Sequence, residues 1–449
     1  MLKRIALILG IFLILLVVAA IATPLLFGDK LKALAKDQMN KQLTAPSGFN
    51  DVSISFFRNF PKVSVGLDQV FITGPEKYAS DTLISARRID VAVQLFSLLG
   101  SGPIKISKVV LEEPRIHAII GKDGSVNWDI MKASEDESAE DTSGSDFNLK
   151  LQHYEIQNGT VRYSDHEGNM FLEIANLNHA GSGDFSAEQF LLKTKTTADA
   201  VNFKYEGLPY LANTKTRLDA DFDINARESK YSFSDLKAVL NEMELRADGF
   251  FQLVNDSTYG MDINFSTPSN EFKHILSLVP AVYTNDFKSL KTSGTAAFKG
   301  FVKGQYSTDK MPAYEVEANI KDGFFQYPEL PQPVQAINLD LKASNVDGQP
   351  DNLVLNIPTA SLQFGKDPFS FRMLYKNPET IQFIDAAVKG KLDLGTVGQF
   401  IKLEQGTKIG GQVQADVEAR GNLNVVLQQK PGPFQAKGLI QLANIYYAS

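Results

Sequence analysis

The residue types that most often carry enzymatic or metal chemistry are few in this sequence and widely separated. The five histidines, His117, His153, His166, His179 and His274, fall on separate predicted strands and loops, with no i, i+4 pair and no HExxH pattern. Asp165-His166 is the nearest approach to a dyad, and its place in a turn fits a solvated histidine better than an acid–base pair. Asp219, Asp221 and Asp223 have the composition of a calcium loop, but a spacing of two puts all three on the wet face of a strand. The glycine and the terminal glutamate of an EF-hand are missing. Gly181-Ser182-Gly183 is too short to cradle a phosphate, and no Walker pattern occurs. Trp128 follows a turn signal and reads as a packed strand residue rather than a ligand platform. Cysteine is absent, which removes thiolate nucleophiles, disulfides and thiolate-ligated zinc together. The sequence therefore predicts no enzyme, no metal and no cofactor. A net charge of −7 argues against nucleic acid as a partner.

The elements available to position any site are strands. From Asp51 onward apolar residues recur with period two, the pattern of half-buried strands with one greasy and one wet face. Leu218, Ala220, Phe222, Ile224 and Ala226 alternate with Arg217, Asp219, Asp221, Asp223, Asn225 and Arg227. Met243, Leu245, Ala247, Phe251 and Leu253 share one parity, opposite Glu242, Glu244, Arg246, Asp248 and Gln252. Val316, Ala318 and Ile320 repeat the pattern, as do Val413, Ala415, Val417 and Ala419. Turn signals at Lys122-Asp123-Gly124, Gln157-Asn158-Gly159, Glu167-Gly168-Asn169, Lys321-Asp322-Gly323 and Val346-Asp347-Gly348 separate the runs and predict mostly antiparallel pairing in sequential meanders. Helices are few after residue 43. The best spans Pro268 to Tyr283, with Thr267 as its cap and Glu271 near its positive end; a shorter one covers Thr396 to Lys402.

The amino terminus has another character. Lys3 and Arg4 precede 24 uncharged residues, Ile5 to Gly28. As a helix that run is about 36 Å long, enough for a hydrocarbon core of about 30 Å. Ile5, Leu9, Phe12, Leu16 and Ala20 are the candidate anchor residues, and the leading cations place the N-terminus in the cytoplasm. A cleaved signal peptide is the competing reading, because Ala20-Ile21-Ala22 before Thr23 resembles a cleavage site. Either way the body of the chain is exported. Asp29 to Leu43 predicts a short helix leaving the membrane. Residues 133–146 carry Glu135, Asp136, Glu137, Glu140, Asp141 and Asp146 with no cation, and predict a disordered acidic linker. The expected organisation is a cytoplasmic tip and membrane helix over 1–28, a first β region over 29–132, the linker over 133–146, and a repeating β region over 147–449.

The repeat is explicit in residues. Ser293 to Gly304 (SGTAAFKGFVKG) aligns with Gly410 to Gly421 (GGQVQADVEARG) at an offset of 117, each copy after a helix candidate. Asp322 to Tyr327 is echoed by Ala443 to Tyr447, and that echo stops at Ser449 in mid-pattern, so the sequence is expected to be the front part of a longer gene product. Roughly 25 one-sided strands at ~4.8 Å spacing would extend on the order of 120 Å, more than one compact sheet holds. Their apolar faces need cover. A second layer would make a sandwich or barrel with an ordinary core; a trough filled by acyl chains is the alternative.

A family resemblance bears on that choice. Behind the apolar span come Phe60-Pro61-Lys62-Val63-Ser64-Val65-Gly66-Leu67, Leu83-Ile84-Ser85-Ala86-Arg87-Arg88-Ile89 and Leu95-Phe96-Ser97-Leu98-Leu99. Then follow Ile104-Lys105-Ile106, Leu111-Glu112-Glu113-Pro114-Arg115-Ile116 and Asp123-Gly124-Ser125-Val126-Asn127-Trp128. In order and spacing this series resembles the N-terminal region of the AsmA family of Gram-negative bacteria. Thr267-Pro268 to Tyr283 and Phe324-Phe325-Gln326-Tyr327-Pro328 look like AsmA-like proteins of Bacteroidota-type bacteria. The resemblance implies an inner-membrane-anchored periplasmic protein, similar to bridge-like lipid-transfer proteins, with membrane phospholipids as cargo and envelope or outer-membrane proteins as further partners. It shifts the expected fold class to mainly β: an N-terminal transmembrane helix followed by an elongated, curled antiparallel β-sheet groove with a few short helices. The candidate lining is Leu218, Phe222, Ile224, Met243, Leu245, Phe251, Leu253, Val413 and Val417. The alternative is a non-transporting periplasmic scaffold that assists outer-membrane protein assembly, with a dry core.

Overall fold

The computed structural model describes residues 29, 32–33, 35–37, 39–59, 62–94, 104–132, 147–255, 257–268, 271–279, 289–307, 309–326, 332–397 and 408–448. The apolar span with Ile5, Leu9, Phe12, Leu16 and Ala20, and the acidic stretch 133–146, lie outside the described residues. Among the described residues no helix is long and apolar enough to cross a membrane. Positions 29–42 are helical wherever they are described, and Lys41 pairs with Asp37 one turn earlier at 2.8 Å. The chain divides into two compact units, Met1–Asp219 and Ala220–Ser449.

The first unit is built on β1 (Ser47–Gly48), β2 (Asp51–Asn59), β3 (Lys62–Thr73), β4 (Thr82–Val93), β5 (Ile104–Glu112) and β6 (Arg115–Ile120). It continues with β7 (Phe147–Asp165), β8 (Met170–Ser182), β9 (Gln189–Tyr205) and β10 (Leu208–Asn225), the unit boundary falling inside β10. β5 and β6 both pair antiparallel with β4 and run end to end, broken at Glu113-Pro114, where Glu113 takes a φ of 50°. β7 then pairs parallel with both of them, Ile104 opposite Phe147 through to Ile120 opposite Asp165. Pairing is mostly antiparallel, as expected, and β7 is the parallel exception. A parallel partner needs a crossover, and residues 121–146 supply it. The described part of that crossover is pinned back by Asn127, fully buried, which donates from Nδ2 to the His117 carbonyl and accepts from the Ile119 amide, both at 2.8 Å. Val63 and Val93 form one small core with Ile54, Val65, Val91 and Ile106, and Ala45, Leu83 and Ile130 another.

The second unit holds β11 (Lys230–Leu240), β12 (Met243–Asn255), β13 (Thr258–Ser266), β14 (Lys291–Tyr306), β15 (Ala313–Gln326) and β16 (Val334–Asn345). After them come β17 (Val354–Phe364), β18 (Asp367–Lys376), β19 (Phe383–Asp393), β20 (Lys408–Asn422) and β21 (Phe434–Ala448). Each pairs antiparallel with the next, as one uninterrupted meander. Among the described residues of this unit three short α-helices sit in its connections: α1 (Phe272–Leu276), α2 (Leu394–Val397) and α3 (Leu423–Leu427). The fold is mainly β, antiparallel within this unit, with few helices.

Three local expectations change. Asn158-Gly159 and Asp322-Gly323 are not turns but lie inside β7 and β15, where Asn158 and Asp322 take φ of 53° and 49° and the register shifts. These are bulges: an Asn or Asp tolerant of left-handed backbone serves a bulge as readily as a hairpin turn. The helix expected over Pro268–Tyr283 shrinks, among the described residues, to the five of α1, and its N-cap is Glu271. Thr267 caps nothing. Its hydroxyl accepts from the Phe298 amide at 3.1 Å and ties the segment to β14.

Candidate functional site

The sheet of the second unit has one apolar face in continuous register. Directly opposed residues share a face, and one row reads Leu236, Ala247, Phe265, Gly300, Val316, Ala343, Leu355, Tyr375, Ile384, Gly421 and Phe434, from β11 to β21 without a charged side chain. A neighbouring row runs Ala296, Ile320, Leu339, Ala360, Phe371, Val388, Val417 and Gly438. Aromatic rings stack along it, Phe265 on Phe298 at 5.4 Å and Phe251 on Tyr259 at 5.6 Å. Among the described residues of this unit no second sheet lies on the face. Its main cover is local: Phe272 and Leu276 of α1, with Leu290, pack on Ala296, Phe325 and Val334 at one end of β14–β16.

Every candidate lining residue falls on a strand. Met243, Leu245, Phe251 and Leu253 share one face of β12, Met243 6% exposed at the covered end and Leu253 41% exposed at the other. Val413 and Val417 lie on β20, on the same face, opposite Leu392 and Val388 on one side and Leu442 and Gly438 on the other. Phe222 packs edge-on against Phe233 at 5.9 Å, and Ile224 is buried. Leu218, half-buried, belongs to the first unit. Sequence parity thus found two ends of one continuous face. The candidate lining left out the rows of β13–β19 between them, although the alternation of Val316, Ala318 and Ile320 had marked β15.

The opposite face is laced with cross-strand ion pairs. Lys299 and Lys342 meet Glu317 at 2.8 and 3.2 Å, Lys303 meets Asp262 at 2.8 Å, Arg372 meets Asp385 at 2.6 Å, and Lys389 meets Asp416 at 2.9 Å. A depression of about 570 Å3 bordered by Arg246, Asp248, Lys299, Glu315 and Glu317 opens on this side. Its charged groups already have partners, Lys299 with Glu317, Glu315 with Lys342, Arg246 with Glu244 and Asp248 with Asn264, so it offers a ligand little. Asp221 and Asp223 are exposed on β10, as period two requires. Among the described residues no group of His, Asp and Glu is placed to hold a metal ion.

The first unit repeats the two-faced design. Ile54, Val65, Val91, Val109 and Tyr154 form one apolar row across β2, β3, β4, β5 and β7. Three polar side chains sit in line across β7, β8 and β9: the Tyr154 hydroxyl lies 2.8 Å from His179 Nε2, and His179 Nδ1 lies 2.8 Å from the Thr196 hydroxyl. Burial pushes the His179 imidazole below its ordinary value and the Tyr154 phenol above. On the polar face lies a constellation that sequence reasoning did not find. Asp90, 3% exposed, accepts from Arg58 at 2.9 Å and Arg88 at 3.1 Å, and Arg88 also reaches Asp68 at 2.8 Å. Glu112 bridges Arg58 at 3.2 Å and Arg87 at 2.6 Å. Arg88 lies flat across Gly66, where a Cβ would fall 1.8 Å from its Nη2. The available signal was Arg87-Arg88-x-Asp90 and the Glu112-Glu113 pair, both within the segments that resemble a known family. Trp128, 40% exposed, lies 6.4 Å from Tyr163, and Asp165 caps its own turn by accepting from the Gly168 amide at 2.7 Å.

A model of the AsmA family matches residues 1–284, more than half of the chain. The chain belongs to the AsmA family. The match takes in the whole first unit and the second as far as α1, so the Arg58–Asp90–Arg88 constellation and the β12 part of the apolar face both lie within the AsmA region. No curated protein and no solved structure matches the chain.

Proposed function

We propose that this AsmA-family chain is an inner-membrane-anchored periplasmic protein that carries phospholipid acyl chains along the apolar faces of its sheets toward the outer membrane. The observation that supports this most is the apolar face of the second unit, in register over eleven strands from β11 to β21 and without a covering layer among the described residues. Apolar surface of that extent costs about 25 cal/mol for each Å2 left in water, and acyl chains laid on it recover that free energy. Mobility follows from the same chemistry, since no side chain of the face makes a directional bond with a methylene chain. The process is passive, without catalysis or cofactor, and residues 5–28 are the proposed membrane span.

The test is the chain produced without residues 1–28, exported to the periplasm and purified without detergent, then weighed intact by native mass spectrometry. Several phospholipids per chain are the expected result. A chain that carries none, although folded by circular dichroism, would refute the carrier reading and leave the scaffold with a dry core.

A further inference from the structure

We infer that phospholipids lodge on the second unit's face in one orientation, head groups at the end of the strands that turns after β12, β14, β16, β18 and β20 form, and tails toward α1. This deepens the carrier reading and rests on it. The two ends of the face differ in their cover. At the α1 end Phe272, Leu276 and Leu290 are 3, 5 and 6% exposed against Ala296, Phe325 and Val334, and the strap is held down from the β11–β12 turn. There Asn241 Nδ2 donates to the Ser277 carbonyl at 2.7 Å and the Glu242 amide donates to the Ser277 hydroxyl at 3.1 Å. A phosphate pushed under that cover would lose its water without gaining a partner, which is prohibitive.

The far end is open and graded. Large aliphatic side chains are exposed along it, on the end of β12 (Val254 45%), in the turns after β14, β16 and β18 (Met311 47%, Val346 73%, Ile381 40%) and on α3 (Val426 46%, Leu427 72%). Turn tips are ordinarily polar, so a whole rim of this kind needs an apolar neighbour. Tyr259 and Tyr306, stacked at 6.3 Å, lie where the face meets the rim, the position in which a ring can touch methylenes while its hydroxyl stays wet. Ten residues of β14 separate Tyr306 from Ala296, about 33 Å at 3.3 Å each, room for an extended acyl chain. Lysines border both ends, Lys310 and Lys376 at the rim and Lys291 and Lys366 at the strap, so charge does not choose between them; the cover does. A flat bilayer fits the rim poorly, because successive strands rotate by about 20–25° and carry their tips out of one plane. Single lipid molecules, each set between neighbouring tips, do fit.

The absence of cysteine makes the test direct. Met311→Cys at the rim and Val279→Cys beside α1, both exposed positions, each receive a fluorophore in the full chain. The labelled chains are reconstituted in phosphatidylcholine vesicles doped with lipid carrying a nitroxide either on the head group or at the end of an acyl chain. The rim probe is expected to lose more fluorescence to the head-group nitroxide, and the α1 probe more to the chain-end nitroxide. Both losses should vanish in a Val388→Glu/Val417→Glu background, which charges the face far from either probe. The reverse order, or equal quenching of both probes by both lipids, overturns the orientation while leaving the carrier reading in place. Quenching that survives the charged background shows the signal to come from the bilayer and overturns the orientation as well. No quenching at either position overturns both, since lipid then never reaches the face.

Discussion

At the scale of single residues, the least expendable side chains are polar ones. Asp90 is nearly fully buried, and Arg58, Arg88 and Asn59 all point hydrogen-bond donors at it. Replacing Asp90 by Asn keeps the shape and removes the charge, leaving Arg88, 12% exposed, with Asp68 alone. Breaking a buried pair in this way typically costs about 3–5 kcal/mol, and urea unfolding of Asp90→Asn should show a loss of that order; a loss no larger than that of an exposed pair such as Lys389–Asp416 would show the network to be ornamental. His179 supplies a second prediction, in pH. Its folded-state value lies below the 6.5 of a free imidazole because it is buried, so as pH falls through 6.5 the unfolded chain takes up a proton that the folded chain refuses. Stability therefore declines below pH 6.5. His179→Gln should make that decline shallower in thermal melts between pH 7 and 5, the remainder coming from His117, whose imidazole burial lowers likewise. Glu155, held at about 2 chiefly by the Lys108 ammonium, loses its stabilising ionisation only below its free value of 4.5, so the two windows can be read apart. An equal slope in wild type and His179→Gln would refute the assignment. Beyond the Arg87-Arg88-x-Asp90 and Glu112-Glu113 pairs the sequence did not show these contacts, because Arg58, Asp90 and Glu112 come from three strands and alternation says which face a residue takes, not which neighbour it meets.

At the scale of elements, period two identified strands and their faces, and could do no more than that. It placed β12 to within two residues and the middles of β15 and β20, yet it could not reveal that β7 runs parallel to β5 and β6, since a side chain's face is the same whichever way the partner runs. Nor could it separate a turn from a bulge at Asn158-Gly159 or Asp322-Gly323. The internal repeat was legible, and the backbone bears it out. Gly294 and Gly411, 117 residues apart, take φ of 100° and 104°, opposite Asp322 and Asn444 at 49° and 53°. In each case a Cβ would fall 2.5 Å from the facing carbonyl oxygen. The two sites are the same bulge built twice, each in the strand that follows a short helix. Gly294→Ala and Gly411→Ala should each destabilise by about 1–3 kcal/mol, the cost of forcing a side chain into left-handed backbone against a fixed neighbour. Denaturant midpoints measured side by side would check it: a neutral result at either site would mean that the bulge relaxes and that the equivalence is one of sequence only.

At the scale of the whole molecule the question is what an uncovered apolar face does to the tolerance of substitutions. In a close-packed core, putting carboxylates at two adjacent strand positions buries unpaired charge and unfolds the protein. On a face open to exchangeable occupants the same substitutions meet water once the occupants leave, so the fold survives and the carrying capacity does not. Val388 and Val417 are directly opposed on β19 and β20, both half-buried, in the row that ends at Gly438. Lys389 and Asp416, opposed one residue away on the other face and 75 and 65% exposed, are the matched control. Val388→Glu/Val417→Glu is expected to keep the wild-type circular dichroism spectrum and cooperative melt while co-purified phospholipid falls to background. Exchanging the control pair, Lys389→Asp/Asp416→Lys, should change neither, because an exposed ion pair contributes about 0–1 kcal/mol and faces no acyl chain. In cells the first variant should fail to support outer-membrane integrity, measured as resistance to detergent and bile salt, and the second should support it fully. If the glutamate pair unfolds the chain, the face is a core in the ordinary sense and needs a dry partner. If it folds and still protects the envelope, lipid does not travel by this face.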